Sequence, residues 1–360
     1  MDDRMKKLAA LLEEAALDAL ILKKMENQRY IEGFTGGDCY MVASGGGNFL
    51  VADSRYTEIG SRECRTAEVR PHRHPHPPFG EVIAMIAKER GFSRVGFERE
   101  FLTWGEHEDI ERALCGAGAE LVPTSSLVER IRAVKDDCEI ASTRAACKIA
   151  DDALRETLPV IKQGVSELDV KTELDYKLMK LGADGPSFDN MVLFGARTSQ
   201  PHANSRRDAI LKKGDFILID YGAMKDGYRS DTTRTFVFGA ASPEQRRAYA
   251  AVSRAQAESQ AMVAEGADGR EINERALSII KGAGLPGFEY GIGHGVGLEI
   301  HEEPFMRQKK SAILQKGNIV TVEPGTYRPG WGGIRIEDTV AVSRGGNEAL
   351  TLFPKELIEL

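Results

Sequence analysis

Three apolar runs in the second half of this chain each end in a carboxylate. Phe216-Ile217-Leu218-Ile219 runs into Asp220, Ile319-Val320-Thr321-Val322 into Glu323, and Ile334-Arg335-Ile336 into Glu337. A short continuous apolar run reads as a strand buried on both faces. A carboxylate at its end is therefore costly unless a counter-charge meets it. A fourth acid belongs with these. Lys225-Asp226-Gly227 turns the chain, and a hairpin centred on Lys225-Asp226 or on Asp226-Gly227 sets Asp231 opposite Asp220 or two residues away. Both registers put the two carboxylates on one face. Directly opposed side chains would have Cβ atoms ~5 Å apart. Like charges that close disfavour each other unless a cation lies between them.

A second stretch narrows the choice of cation. Gly291–Glu302 reads G-I-G-H-G-V-G-L-E-I-H-E, with glycine at every second position from Gly291 to Gly297. One face of an extended segment then has no side chains, which admits close approach and weakens a strand that has only packing to do. His294 lies inside the run, and His301 follows seven residues later. The spacing does not give G-x-G-x-x-G, so a dinucleotide site is not indicated. Phe305 stands where a zincin helix would need its second histidine. Asp220, Asp231, His294, Glu323 and Glu337 together suit a divalent ion that accepts hard oxygen and one nitrogen, such as manganese, cobalt, iron or zinc. Two such ions nearly balance four negative charges, whereas one leaves a dry site strongly anionic.

The length of 360 residues favours two domains. A net charge of −7 argues against nucleic acid as a general partner, since phosphate binding needs a basic surface. The five cysteines all precede residue 150 and include no C-x-x-C pair, which suggests reduced thiols. Glu13, Glu14 and Asp18 interrupt the apolar residues near the N-terminus, so no signal peptide is read there. No apolar run approaches the ~20 residues of a membrane span. The expectation is a soluble, cytoplasmic protein with no membrane partner.

Taken in order, the first 125 or so residues alternate helix and strand: a helix over Arg4–Ala16, strands at Leu17–Leu22 and Phe49–Val51, a helix over Glu81–Arg90, a strand at Arg94–Phe97. This predicts an α/β layer domain. Pro71–Pro78, with His72, His74 and His76 among four prolines, reads as a solvated loop. After the charged connector Glu129–Asp137 the pattern becomes helix, helix, sheet, twice. Helices are predicted over Glu139–Ile161, from Ser166, from Ser242 through Val263, and over Gly269–Lys281. Strands are predicted at Asn190–Phe194, Phe216–Asp220, Tyr228–Phe238, the glycine run, Ile319–Glu323 and Ile334–Val342.

The blocks I-D-Y-G (219–222), S-D-T-T-R-T (230–235), G-H-G-V-G-L-E-I-H-E (293–302), V-E-P-G (322–325) and G-I-R-I-E-D (333–338) resemble the metallopeptidase family of aminopeptidase P, prolidase and methionine aminopeptidase. A-D-S-R-Y (52–56) is similar to the N-terminal domain of aminopeptidase P, prolidase and creatinase. The resemblance implies a creatinase/prolidase-like α/β domain over residues 1–128. It implies a pseudo-two-fold α/β (α+β) catalytic domain of the pita-bread type over 137–360. It further implies that Asp220 chelates one ion, that His294 binds the other, and that Asp231 and Glu337 bridge both. Glu323 would be ligand and general base or acid, while His202 and His301 would hydrogen-bond the substrate and stabilise the tetrahedral intermediate. Tyr327 and Arg335 match positions that orient Asp220. Tyr290 occupies the place of a histidine that many Xaa-Pro members carry four residues before the metal-binding one, a candidate substrate contact.

The expected activity is a dinuclear-metal, manganese-preferring exopeptidase that removes the residue before proline, an Xaa-Pro aminopeptidase. The alternative within the class is an Xaa-Pro dipeptidase. From another class, the alternative is a non-catalytic binding module on the same fold. The expected partner is a peptide with proline at its second position, and the family implies a homodimer.

Overall fold

A computed structural model describes residues 3–309 and 312–360. The chain divides into two units, Met1–Arg132 and Ala133–Leu360.

In the first unit, strands β1 (Ala19–Leu22), β2 (Tyr40–Ser44), β3 (Gly47–Ala52), β4 (Glu68–Pro71), β5 (Arg94–Glu98) and β6 (Glu120–Thr124) form one mixed sheet in the order β4-β3-β2-β1-β5-β6. Helices α1 (Asp3–Glu14), α2 (Met25–Glu32), α3 (Thr57–Glu63), α4 (Phe79–Arg90), α5 (Trp104–Gly116) and α6 (Leu127–Arg132) complete it. Ile21, Val42, Phe49 and Val95 meet Ile83, Ile86, Ile110 and Leu114 of α4 and α5 in a buried cluster. That is the α/β layer predicted from the alternation. The proline-rich loop departs from expectation at one residue. His72 is buried, edge-on to Tyr40 and Phe79, which stack with centroids 4.5 Å apart. The stacked rings form an apolar slot that an imidazole edge can fill, while His74 and His76 stay exposed.

The second unit begins with α7 (Asp137–Thr157) and α8 (Glu167–Lys180), each started by a capping box, from Asp136 to Glu139 and from Ser166 to Asp169. Strands β7 (Gly185–Pro186), β8 (Met191–Phe194), β9 (Phe216–Tyr221), β10 (Ala223–Lys225), β11 (Tyr228–Arg229) and β12 (Thr232–Val237) follow. They pair as β12-β9-β8 and β11-β10-β7. The pattern then restarts with α9 (Pro243–Met262), capped by Ser242 and Gln245, and α10 (Gly269–Gly282). Strands β13 (Gly293–Gly295), β14 (Glu302–Met306), β15 (Ile319–Val322), β18 (Asp338–Ser343) and β19 (Gly346–Ala349) form a sheet in the order β14-β13-β15-β18-β19. Between them β16 (Gly325–Arg328) and β17 (Gly332–Arg335) pair separately. Ala150, Leu154, Val170 and Leu174 pack under the first sheet, and Ile272, Ala276, Ile280 and Val263 under the second.

Three expected strands are shorter or broken, and each break serves the acids. Tyr228–Phe238 splits between β11 and β12 at Ser230-Asp231. Ile334–Val342 splits at Ile336-Glu337, where the Ile336 amide turns to the Pro324 carbonyl and the Glu337 amide to the Thr233 carbonyl (3.1 Å). In the glycine run only Gly293–Gly295 is strand, with a register shift against β14. Asp231, Glu323 and Glu337 thus stand where the chain leaves one ladder for another, whereas Asp220 lies within the β9 ladder, opposite Thr233 and Met191.

Candidate metal centre

The hairpin fixes the first two acids. Lys225 pairs with Tyr228 across Asp226 and Gly227, both at positive φ, so the turn centres on Asp226-Gly227. The same register sets Thr233 opposite Asp220. Asp231 therefore stands two residues from the directly opposed position, on the same face. Of the two registers open to the sequence, this is the wider one.

The other half brings up three more groups. The His294 amide donates to Thr321 Oγ1 (3.1 Å), and its ring Nδ1 lies 3.0 Å from the Gly295 carbonyl oxygen, leaving Nε2 facing the acids. Nε2 is 3.5 Å from Asp231 Oδ2 and 3.4 Å from Glu323 Oε1. Ligating atoms of Asp231, His294 and Glu337, all buried, lie within 4.8 Å of one another. Close packing of the strands requires bare glycine: a Cβ on Gly293 would overlap the Thr321 carbonyl, and one on Gly295 the Glu303 carbonyl.

The buried acids are short of counter-charge. Burial, then Asp220 and Glu323, hold the Asp231 carboxyl well above the usual range. Burial, then Asp231, Glu323 and Asp220, do the same for Glu337. Glu323 is also raised, chiefly by burial, although His294 and Arg335 pull against the shift. The nearby cation is already committed. Arg335 Nη2 donates to Asp220 Oδ2 (2.5 Å), its Nη1 to the Tyr327 hydroxyl (2.8 Å), and its Nε to Thr233 Oγ1 (2.9 Å). Among the described residues, Asp220 Oδ1 is left buried with no hydrogen-bond partner. A buried lone pair without a donor is costly, and a metal ion is one thing that satisfies it. The residues present therefore fit divalent metal: hard oxygens, one imidazole nitrogen, an orphaned carboxylate oxygen and surplus negative charge.

These groups line a cleft of about 730 Å³ that also presents His202, Tyr290, His301, Phe305 and Arg307. The His301 ring stands edge-on to His294, centroids 4.3 Å apart. Partial burial, with His294, His202 and Arg307 nearby, pushes its pKa down to about 4. It is a neutral imidazole at neutral pH. Tyr290 does not reach into the cleft as a free phenol; its hydroxyl lies 2.6 Å from that of Tyr327.

Several residues of the site were not singled out from the sequence. Thr233 Oγ1 donates to Glu337 Oε2 (2.7 Å) while accepting from Arg335. Arg234 is fully buried and binds the Glu337 carbonyl and Asp338 Oδ1. An arginine inside the otherwise uncharged strand Thr232–Val237 was the available signal.

Comparison with known proteins agrees with this geometry. Residues 141–344 match the model of metallopeptidase family M24, and residues 4–134 that of the creatinase/prolidase N-terminal domain. An Xaa-Pro dipeptidase of Pyrococcus horikoshii is 30% identical over 99% of each chain. A solved Xaa-Pro dipeptidase from Bacillus anthracis is 36% identical and superposes with a TM-score of 0.94 over 99% of both chains. A solved X-Pro aminopeptidase from Thermotoga maritima is 29% identical with a TM-score of 0.91, covering 99% of this chain and all of that one. Prolidase neighbours and the family match make the second unit a pita-bread catalytic domain that works with divalent metal ions. The chain belongs to metallopeptidase family M24, and it is a peptidase.

Proposed function

We propose that this peptidase is an Xaa-Pro dipeptidase working with two divalent ions, manganese foremost. The observation that carries the reading is the convergence of Asp231, His294 and Glu337, with Glu323 beside them, on the floor of one cleft. Asp220, Asp231, His294, Glu323 and Glu337 would hold the ions. When bound, they would lower the pKa of water and polarise the scissile carbonyl. The chain's own groups do the rest. Glu323, its carboxyl raised by burial, takes a proton and returns one to the leaving amine. His301, neutral, and His202 donate hydrogen bonds where negative charge develops. Arg335 and Tyr327 hold Asp220 in place.

The sequence alone favoured an aminopeptidase; the dipeptidase is better supported. Curated relatives at 30% and 31% identity carry the dipeptidase name. The cleft wall also carries Arg307, stacked 3.8 Å over the Phe305 ring, a cation suited to the free carboxylate of a dipeptide. The test is a timed digest of Xaa-Pro dipeptides beside Xaa-Pro-Yaa tripeptides, with manganese, cobalt or zinc. Dipeptides should have the higher kcat/KM; preference for tripeptides restores the aminopeptidase reading, and cleavage of neither ends both. A homodimer and a cytoplasmic location rest on the resemblance and on composition; light scattering of the purified protein tests the first.

A further inference from the structure

His301 faces the cleft with no hydrogen bond to either ring nitrogen among the described residues, so the backbone that carries it sets its place. That backbone is the turn from Gly297 to Glu302. The Gly297 amide donates to the Glu299 carbonyl (3.0 Å), and the Glu299 amide to Glu302 Oε2 (3.4 Å). A Cβ at Gly297 would overlap the Glu302 carboxylate, so the turn is wrapped directly around that group. The carboxylate is buried, and its Oε1 is met by Lys135 Nζ at 2.5 Å, with side chains 4% and 1% exposed. Lys135 is itself fixed to the lead-in of the strand that ends in Glu323: its amide donates to the Gly317 carbonyl (2.8 Å), and Asn318 Nδ2 donates to the Ala133 carbonyl (2.8 Å). From the other half, Arg229 donates its amide to the Gly297 carbonyl (2.9 Å) and its Nε to the Leu298 carbonyl (3.1 Å).

We infer that the buried Lys135–Glu302 ion pair is a positioning device for His301. It ties the turn presenting that imidazole to the strand presenting Glu323, and so sets the distance between proton carrier and hydrogen-bond donor. A buried pair is seldom a net source of stability compared with an uncharged pair of similar volume, whereas removal of one partner is strongly destabilising. Geometry at the adjacent residue is what the pair supplies. The inference rests on the peptidase reading of His301, and Lys135 touches no substrate.

The test compares Lys135→Met, the double variant Lys135→Met/Glu302→Gln, and each in a His301→Ala background. Lys135→Met alone should lower Tm, because it takes the lysine away from a buried carboxylate. The double variant should recover most of that Tm, yet its kcat on an Xaa-Pro dipeptide should stay down roughly 10- to 100-fold, the range a misplacement of about 1 Å can cost. KM should change less than about threefold. In the His301→Ala background the same double substitution should cost almost nothing further, the non-additivity expected of residues acting as one unit. Recovery of kcat together with Tm, or an undiminished loss without His301, overturns the inference. A readout independent of activity accompanies these: amide exchange over Gly297–Glu302 in metal-free protein should quicken about tenfold in the double variant. Unchanged exchange also overturns it, whereas a wild type inert toward Xaa-Pro peptides with quickened exchange defeats the substrate reading and leaves the positioning intact.

Discussion

Glu337 and Asp338 are neighbours in sequence, both 1% exposed, and their surroundings are opposite. Asp338 faces the underside of its sheet, where Arg234 Nη2 donates to Oδ1 (2.7 Å) and Lys355 Nζ to Oδ2 (2.5 Å), with Thr351 and Gln256 adding donors. Although burial opposes it, Arg234 and Lys355 hold its pKa below the ordinary carboxylate value. Glu337 faces the cleft floor, where burial and then three further carboxylates raise its pKa well above that value. The underside is built to be stable as it stands. The floor is left with a charge deficit that the chain does not correct, and this difference separates a structural carboxylate from one awaiting a ligand.

The largest expected effect comes from breaking the floor where it works. Glu323→Gln keeps a neutral oxygen in place but removes the proton carrier, so kcat should fall roughly 10²- to 10⁴-fold. Near-wild-type turnover would refute its role. On the underside the opposite pattern is expected. Asp338→Asn leaves Arg234 and Lys355 facing a neutral amide and should cost about 3–5 kcal/mol, read as a lower urea midpoint. A neutral result there would mean that the two faces do not differ in the way described.

Metal removal sharpens the contrast at smaller scale. An ion at about 100 times its Kd stabilises by ~2.7 kcal/mol, so a chelator should lower Tm by roughly 5–10 °C and manganese or cobalt should restore it. Asp231→Asn should blunt this response, and Asp338→Asn should not. An unchanged melt after verified stripping would count against the centre.

Glu98, in the first unit, supplies the control. Its carboxylate is buried and accepts from the Lys23 and Lys24 amides and from Asn27, but burial still raises its pKa from 4.5 to about 7. The unfolded chain releases this proton near pH 4.5, and the folded chain only near pH 7. Its contribution to stability is therefore complete below pH 4.5, declines as pH rises towards 7, and is gone above. The decline should amount to about 1–3 kcal/mol, should vanish in Glu98→Gln, and should be indifferent to chelator. A chelator-dependent slope for this residue would break the distinction between satisfied and unsatisfied acids.

Much of the site was legible because its residues are physically out of place: acids ending apolar runs, and glycines where a strand gains nothing from them. Hairpin parity put Asp220 and Asp231 on one face before any register was known, and the structure then selected the Asp226-Gly227 turn. What stayed hidden is what depends on pairing between distant segments. Lys135 looked like one more charge in a connector, and nothing local to it announces Glu302, 167 residues on. The break at Ile336-Glu337 was equally invisible, since Ile334–Val342 has the composition of one strand. Only the competing acceptors at Pro324 and Thr233 divide it.

The bare backbones of Gly291, Gly293 and Gly295 also govern how this cleft can be redesigned. Each faces a carbonyl of a neighbouring strand at a distance no side chain tolerates. A mutagenesis library aimed at new substrates would waste its diversity there, whatever residue it tried. The segment beside them, from Phe305 to Lys309, lines the same cleft with Phe305, Arg307, Gln308 and Lys309 and includes side chains open to solvent. Variation belongs on that side. The glycine strand serves as a fixed anvil and the segment beside it as the adjustable jaw, and screening effort divides accordingly.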